Sequence, residues 1–201
     1  MKNMRQWLLI AGCVLVTSSL FAQEKDWAQF GRYAEANKTV KVPSKVVFMG
    51  NSITDGWWPN DSTFFINNQY VDRGISGQTT SEMLVRFRAD VINLKPKAVV
   101  ILAGTNDIAQ NNGYISLENA FGNIVSMVEL AKANNIKPIL CSVMPAYEFG
   151  WRKGLEPAGK IIKLNAMIKA YAGKNKIIYV DYHSALADER GGLPEKYSKD
   201  G

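Results

Sequence analysis

Short apolar runs alternate with helix-period stretches along most of this chain, and that alternation confines it to a parallel sheet covered on both faces. The runs are Lys45–Met49, Tyr70–Arg73, Ala98–Ala103, Lys137–Val143 and Ile177–Val180. Between them, Leu117, Phe121, Ile124, Val125 and Val128 recur at helical spacing, as do Ile161, Leu164, Ile168 and Tyr171. Thr79 and Glu82 have the spacing of a capping box, Pro157 is placed to open a helix, and Trp27, Phe30 and Ala34 suggest another helix before the first strand. Five such strands predict the flavodoxin-like order 2-1-3-4-5, in which strand 1 lies between strands 2 and 3 and a crevice opens at their carboxyl ends.

The 201 residues suit one domain behind a targeting segment. Lys2 and Arg5 precede the apolar run Trp7–Val16, and Ser18, Ser19 and Ala22 follow it. That layout predicts a signal peptide over residues 1–22 and a domain over 23–201. The run is too short to favour a transmembrane span, which needs about 20 residues. Ile10-Ala11-Gly12-Cys13 offers a lipobox alternative, with Cys13 lipidated. If cleavage removes Cys13, Cys141 is the one cysteine left, and in its apolar run it reads as a small buried hydrophobe. The formal charge of +6 includes Lys2 and Arg5, so the remainder carries +4. Its basic residues are scattered, which argues for a solvated surface and against a nucleic-acid partner. One histidine and no Cys/His cluster imply no metal, and no cofactor is expected.

Chemistry concentrates in three turns, each following a strand. Val46–Gly50 runs into Asn51-Ser52-Ile53, which would hold Ser52 at the sheet edge as a nucleophile. Gly74-Ile75-Ser76-Gly77-Gln78 follows strand 2, and Gly104-Thr105-Asn106-Asp107 follows strand 3. Acyl transfer needs donors facing the oxygen that becomes negative, and the amides of Ser52 and Gly77 with the Asn106 side chain supply that set. Asp107 is expected to cap a helix or brace its loop, and Asp55 to be a turn residue.

These blocks, in this order and spacing, resemble the SGNH hydrolase superfamily of GDSL esterases and lipases from about Lys45 to Gly201. Gly50-Asn51-Ser52-Ile53 matches the first block, Gly77 the second and Gly104-Thr105-Asn106-Asp107 the third, while Asp200-Gly201 resembles the start of the closing Asp-x-x-His. The resemblance implies a three-layer α/β/α fold, Ser52 as nucleophile, Ser52, Gly77 and Asn106 as the oxyanion hole, and Asp200 orienting a histidine. Asn51 stands where the family has aspartate, an isosteric change compatible with the same turn. The histidine's expected place is two residues past Gly201. The chain as given is therefore expected to be a C-terminal truncation lacking that base and a last helix, and to be nearly inactive.

His183 is the one histidine present, and an Asp181/His183 pair serving Ser52 is conceivable. A side chain at the foot of a loop, hydrogen-bonded or exposed, is the favoured alternative, because strand 5 lies two strands from strand 1. The segment Asp181–Gly201 is expected to be a long loop returning to the crevice. Trp57, Trp58 and Trp151 lie on the same edge, where each ring either packs on a sugar or acyl chain or packs against the protein. Tyr147–Arg152 would line one wall, with Arg152 facing an acidic substrate group.

The expected function is an exported serine esterase, periplasmic or extracellular, that removes small acyl groups, acetyl on a carbohydrate above all. A lysophospholipase or thioesterase is the nearest alternative. A glycan-binding relative without activity and a flavodoxin-like cofactor protein are the readings from other classes, the last weakened by a first loop poor in Ser, Thr and Gly.

Overall fold

The structure is a computed structural model that describes residues 26–198. The predicted signal, Cys13 and Asp200 lie outside the described residues. Five strands, β1 (Val46–Gly50), β2 (Tyr70–Gly74), β3 (Ala98–Leu102), β4 (Lys137–Cys141) and β5 (Ile178–Val180), form one parallel sheet in the order β2-β1-β3-β4-β5. This is the predicted order. β3 and β4 stop short of their apolar runs because other groups take over the backbone. Gly104 turns at φ 124°, and Val143 exchanges hydrogen bonds with the Asn165 side chain, at 2.7 and 3.0 Å, instead of a strand.

Side-chain alternation builds the layers. Val47 and Met49 of β1, Val99 and Ile101 of β3 and Leu140 of β4 share a core with the helices α5 (Thr80–Asp90), α7 (Leu117–Ala133) and α8 (Pro157–Lys174). The capping box at Thr79 forms, with the Thr79 amide 2.8 Å from Glu82 Oε2, and Pro157 occupies the first turn of α8. The opposite face of β1 carries Phe48, whose ring meets those of Trp57, Phe64, Phe65 and Tyr70 at 5.5–5.7 Å. Those residues come from α3 (Trp57–Asn60), α4 (Ser62–Asn68) and β2.

Farther along that face Ile178 is 46% exposed, so the described residues only partly cover β5. The N-terminal segment forms a 3₁₀ turn, Phe30–Tyr33, leading into α1 (Ala34–Thr39). Trp27 and Phe30, expected on a helix, lie exposed ahead of α1 and in that turn. Cys141 is buried, and burial pushes its thiol up to about 12. Among the described residues no helix is long and apolar enough to cross a membrane.

Candidate active site

At the carboxyl end of β1 the chain turns into α2 (Ser52–Asp55), which leaves Ser52 exposed on the rim. Buried Asn51 caps this turn, its Oδ1 accepting the Ile53 amide at 3.0 Å. An asparagine therefore does what the turn asks of an aspartate, a single acceptor for an orphan helix N–H. Glycines allow α2 to sit so close: a Cβ at Gly50 would lie 2.0 Å from Thr54 Oγ1, and one at Gly74 2.1 Å from the Asp55 backbone nitrogen.

The three predicted loops meet and are tied together by side chains. Asp55 Oδ2 accepts the Ser76 amide at 3.1 Å and its hydroxyl at 2.6 Å, while Oδ1 pairs with Arg32 at 3.2 Å. Burial works against the Asp55 charge, but these donors outweigh it and hold the carboxyl below the ordinary range. The expected turn residue is thus a bridge between the Ser52 turn and the Gly77 loop. Gly77 has φ +81°, with open space where a Cβ would stand. Buried Asn106, in α6 (Thr105–Ile108), donates from Nδ2 to the Gln78 carbonyl at 2.9 Å. An asparagine amide carries two N–H groups, and among the described residues the second has no partner. Asp107 braces as expected, accepting the Thr80 amide at 3.1 and 3.0 Å and the Thr80 hydroxyl at 2.6 Å. Burial nevertheless raises its pKa.

Two residues without a sequence-level role complete this edge. Fully buried Arg86 of α5 donates to Gln78 Oε1 at 2.5 Å, Asp90 Oδ2 at 2.9 Å, the Arg73 carbonyl at 2.9 Å and the Gly50 carbonyl at 3.2 Å. The Arg86/Asp90 spacing of i, i+4 on a helix is the one sequence signal that could have found it. Asn111 donates to Asn106 Oδ1 at 3.1 Å and to the Gly77 carbonyl at 3.4 Å, and it carries no such signal.

The aromatic candidates separate. Trp57 is half-buried and stacks on Phe64 with centroids 4.5 Å apart. Trp58 is 44% exposed and lines a cleft of about 630 Å³ with Arg32, Tyr33, Asp55 and Asp72. Trp151 is 56% exposed and donates its indole N–H to Asn111 Oδ1 at 3.1 Å. Exposed Arg152 donates from Nη1 to the Gln110 carbonyl at 2.5 Å.

His183 and Asp181 do not form a dyad. Asp181 caps α9 (Tyr182–Leu186) through the Ser184 amide at 3.0 Å and meets Lys169 at 3.4 Å. The His183 backbone amide donates to Ser142 Oγ at 2.8 Å; the residue is half-buried, and its Nε2 is buried without a described partner. Nor is the segment after Asp181 a plain loop: it opens with α9 and turns around Asp188, whose Oδ1 accepts the Gly192 amide at 2.9 Å. Farther on, the Arg190 guanidinium lies 5.4 Å from the Tyr147 ring, in the segment after β4. Among the described residues no group of three or more His, Cys, Asp or Glu could hold a metal.

Known proteins share this architecture. A candidate acylhydrolase from Bacteroides fragilis is 53% identical with a TM-score of 0.86, over 89% of this chain and 88% of that one. A GDSL-like lipase from Bacteroides thetaiotaomicron is 52% identical with a TM-score of 0.83, over 87% of this chain and 88% of that one. An uncharacterized lipoprotein of Bacillus subtilis, YqeF, is 36% identical over 85 residues, which span 41% of this chain and about a third, 35%, of the lipoprotein. The model of the GDSL-like Lipase/Acylhydrolase family matches residues 48–201, a stretch that contains the Ser52, Gly77 and Asn106 turns. With that match and the five-stranded 2-1-3-4-5 sheet, the chain belongs to the GDSL-like lipase/acylhydrolase family of the SGNH hydrolase superfamily.

Proposed function

We propose that this protein is a serine esterase in which Ser52 attacks the ester carbonyl and the Ser52 and Gly77 amides with Asn106 Nδ2 receive the oxyanion. The observation that carries it is Asn106, buried, fixed by Gln78 and left, among the described residues, with one N–H without a partner. The Ser52 proton passes to a histidine oriented by Asp200, a role supported by the resemblance of Asp200-Gly201 to the start of Asp-x-x-His. That histidine gives the proton to the departing alcohol as the acyl-enzyme forms, then takes a proton from the attacking water and passes it to Ser52 as the acid leaves.

The alcohol part of the substrate is a carbohydrate and the acyl group acetyl. The exposed Trp58 supports this, since it offers a flat ring beside the Arg32 guanidinium in a cleft of about 630 Å³ that reaches Asp55 at the end of the Ser52 turn. A smaller apolar pocket of about 160 Å³, lined by Ile53, Trp57, Leu102, Met144 and Leu186, favours a second reading in which a longer acyl chain is released, as by a lysophospholipase or thioesterase. Export is part of the proposal. The Lys2–Ala22 layout supports it, and the lipoprotein name of the B. subtilis relative supports anchoring at Cys13. Palmitate labelling lost in a Cys13→Ala variant would separate the anchored form from the released one.

The test is hydrolysis of p-nitrophenyl esters of increasing chain length and of acetylated sugars, using protein expressed from the complete gene. Ser52→Ala is expected to lower turnover on the order of 10⁴-fold or more, and Asn106→Ala about 10²- to 10³-fold. A Ser52→Ala variant with undiminished turnover overturns the proposal. Rates that rise with chain length move the substrate from acetyl esters to the second reading.

A further inference from the structure

Trp151 and Asn106 are separated by 45 positions in the chain but by a single side chain in space, Asn111. An indole N–H can only donate, so the end of Asn111 that meets it at 3.1 Å must be the carbonyl oxygen. The Asn111 nitrogen then faces the other way, 3.1 Å from Asn106 and 3.4 Å from the Gly77 carbonyl. An NH₂ group also only donates, so Asn106 must offer it Oδ1. With Oδ1 taken, Asn106 Nδ2 is left on the side of the Gln78 carbonyl, 2.9 Å away, and of the crevice. The indole donor at the surface and the carbonyls of Gly77 and Gln78 thus agree on one orientation of two amides in series.

We propose that Trp151 and Asn111 are positioning residues that aim the oxyanion donor of Asn106. The inference rests on the reading of Asn106 as that donor. Were the Asn106 amide turned over, its oxygen would face the Gln78 carbonyl and its nitrogen the Asn111 nitrogen, two contacts between like partners, and an acceptor would replace the donor at the crevice. The surroundings keep the series in register. Phe149 is buried and anchors the segment that carries Trp151, Arg152 clips that segment to the Gln110 carbonyl at 2.5 Å, and the Asn111 backbone amide donates to the Asn106 carbonyl at 3.0 Å. Gln110 takes the left-handed conformation, φ 54°, which turns Asn111 back over Asn106. The Trp151 ring itself stays 56% exposed, so its N–H does work that its burial does not.

The experiment compares Trp151→Phe, Asn111→Asp, Asn106→Ala and the double variant Trp151→Phe/Asn106→Ala in protein from the complete gene, with kcat and KM on p-nitrophenyl acetate. Trp151→Phe keeps a ring and removes the one N–H. It is expected to lower kcat about 10-fold with KM within about twofold, a part of the roughly 10²- to 10³-fold loss that removing the donor causes. Asn111→Asp cannot donate to Asn106 and is expected to approach the Asn106→Ala loss. In the Asn106→Ala background, Trp151→Phe is expected to change nothing further, because no amide remains to be aimed. A Trp151→Phe variant that raises KM at unchanged kcat makes Trp151 a substrate-packing residue and overturns the inference, as does full additivity in the double variant. If Asn106→Ala itself leaves kcat intact, the oxyanion reading fails and the positioning role with it. If Asn106→Ala alone is impaired, only the positioning role fails.

Discussion

Replacing Arg86 with methionine should destabilise this protein more than any exposed substitution at the crevice. The guanidinium is fully buried and makes four hydrogen bonds, to Asp90, Gln78 and the carbonyls of Gly50 and Arg73. Methionine fills the space of the stem but supplies no donor. Removing one partner of a buried ion pair costs about 3–5 kcal/mol, because the other charge stays behind unpaired. Here, among the described residues, Asp90 retains the Asn37 amide at 2.7 Å and the more distant charge of Arg73, which do not replace the lost ion pair. Each acceptor orphaned at Gln78, Gly50 and Arg73 would add about 1–3 kcal/mol if nothing relaxed to meet it.

Water reaching part of the site offsets some of that, so at least about 4 kcal/mol is expected, out of a total that is about 5–15 kcal/mol for most domains. At roughly 2–4 °C per kcal/mol for a chain of this size, Tm should fall by about 8–16 °C in calorimetry or a circular-dichroism melt. The double variant Arg86→Met/Asp90→Leu should recover a large part of the loss, because it removes the stranded carboxylate as well. A single variant within about 1 kcal/mol of the parent, in urea unfolding with an unchanged m-value, would refute the assignment of Arg86 as the brace of this edge.

Two further outcomes follow from the same geometry. Gly74→Ala should prevent α2 from seating, since its Cβ would meet backbone at 2.1 Å, whereas Gly77→Ala meets open space and should cost only about 1–2 kcal/mol of left-handed strain; soluble expression and a melt separate the two. Asp72 is buried, and burial lifts its carboxyl from the ordinary range to about 6. The folded protein therefore binds more protons than the unfolded chain between about pH 4 and 6, and stability falls as pH rises through that window, by on the order of 2–3 kcal/mol. Asp72→Asn should flatten that part of the pH–stability curve while keeping the acceptor for the Gly74 amide, and an unchanged slope would exclude Asp72 as its source.

Strands that are buried on both faces announce themselves as apolar runs, and their order follows from the parallel topology, so Ser52, Gly77 and Asn106 could be brought to one edge from sequence alone. Strand ends were less legible. β4 ends where Asn165, 22 positions from Val143, takes the backbone, and nothing local marks that. The braces are harder still. Asp55 finds Ser76 across 21 positions and Asn111 finds Trp151 across 40, distances at which no periodicity speaks. Neighbouring Trp57 and Trp58 are equivalent in composition, but successive helix positions point about 100° apart, which sends one ring into the Phe48 cluster and leaves the other in the cleft.

Each loop at this edge is held by a side chain from another loop or from the helix beneath. Asp55 holds Ser76, Asp107 holds Thr80, Asn106 and Asn111 hold the carbonyls of Gln78 and Gly77, and Arg86 holds those of Gly50 and Arg73. Connecting loops ordinarily open at low free energy, whereas donors that stabilise a developing charge are effective only if they need not reorganise when it forms. Cross-bracing reconciles the two demands, because no one loop can open without breaking hydrogen bonds to its neighbours. The braces are side chains with fixed donor and acceptor ends, so they constrain orientation as well as distance. An apolar contact of equal strength would hold the loops together and leave the amide of Asn106 free to turn over.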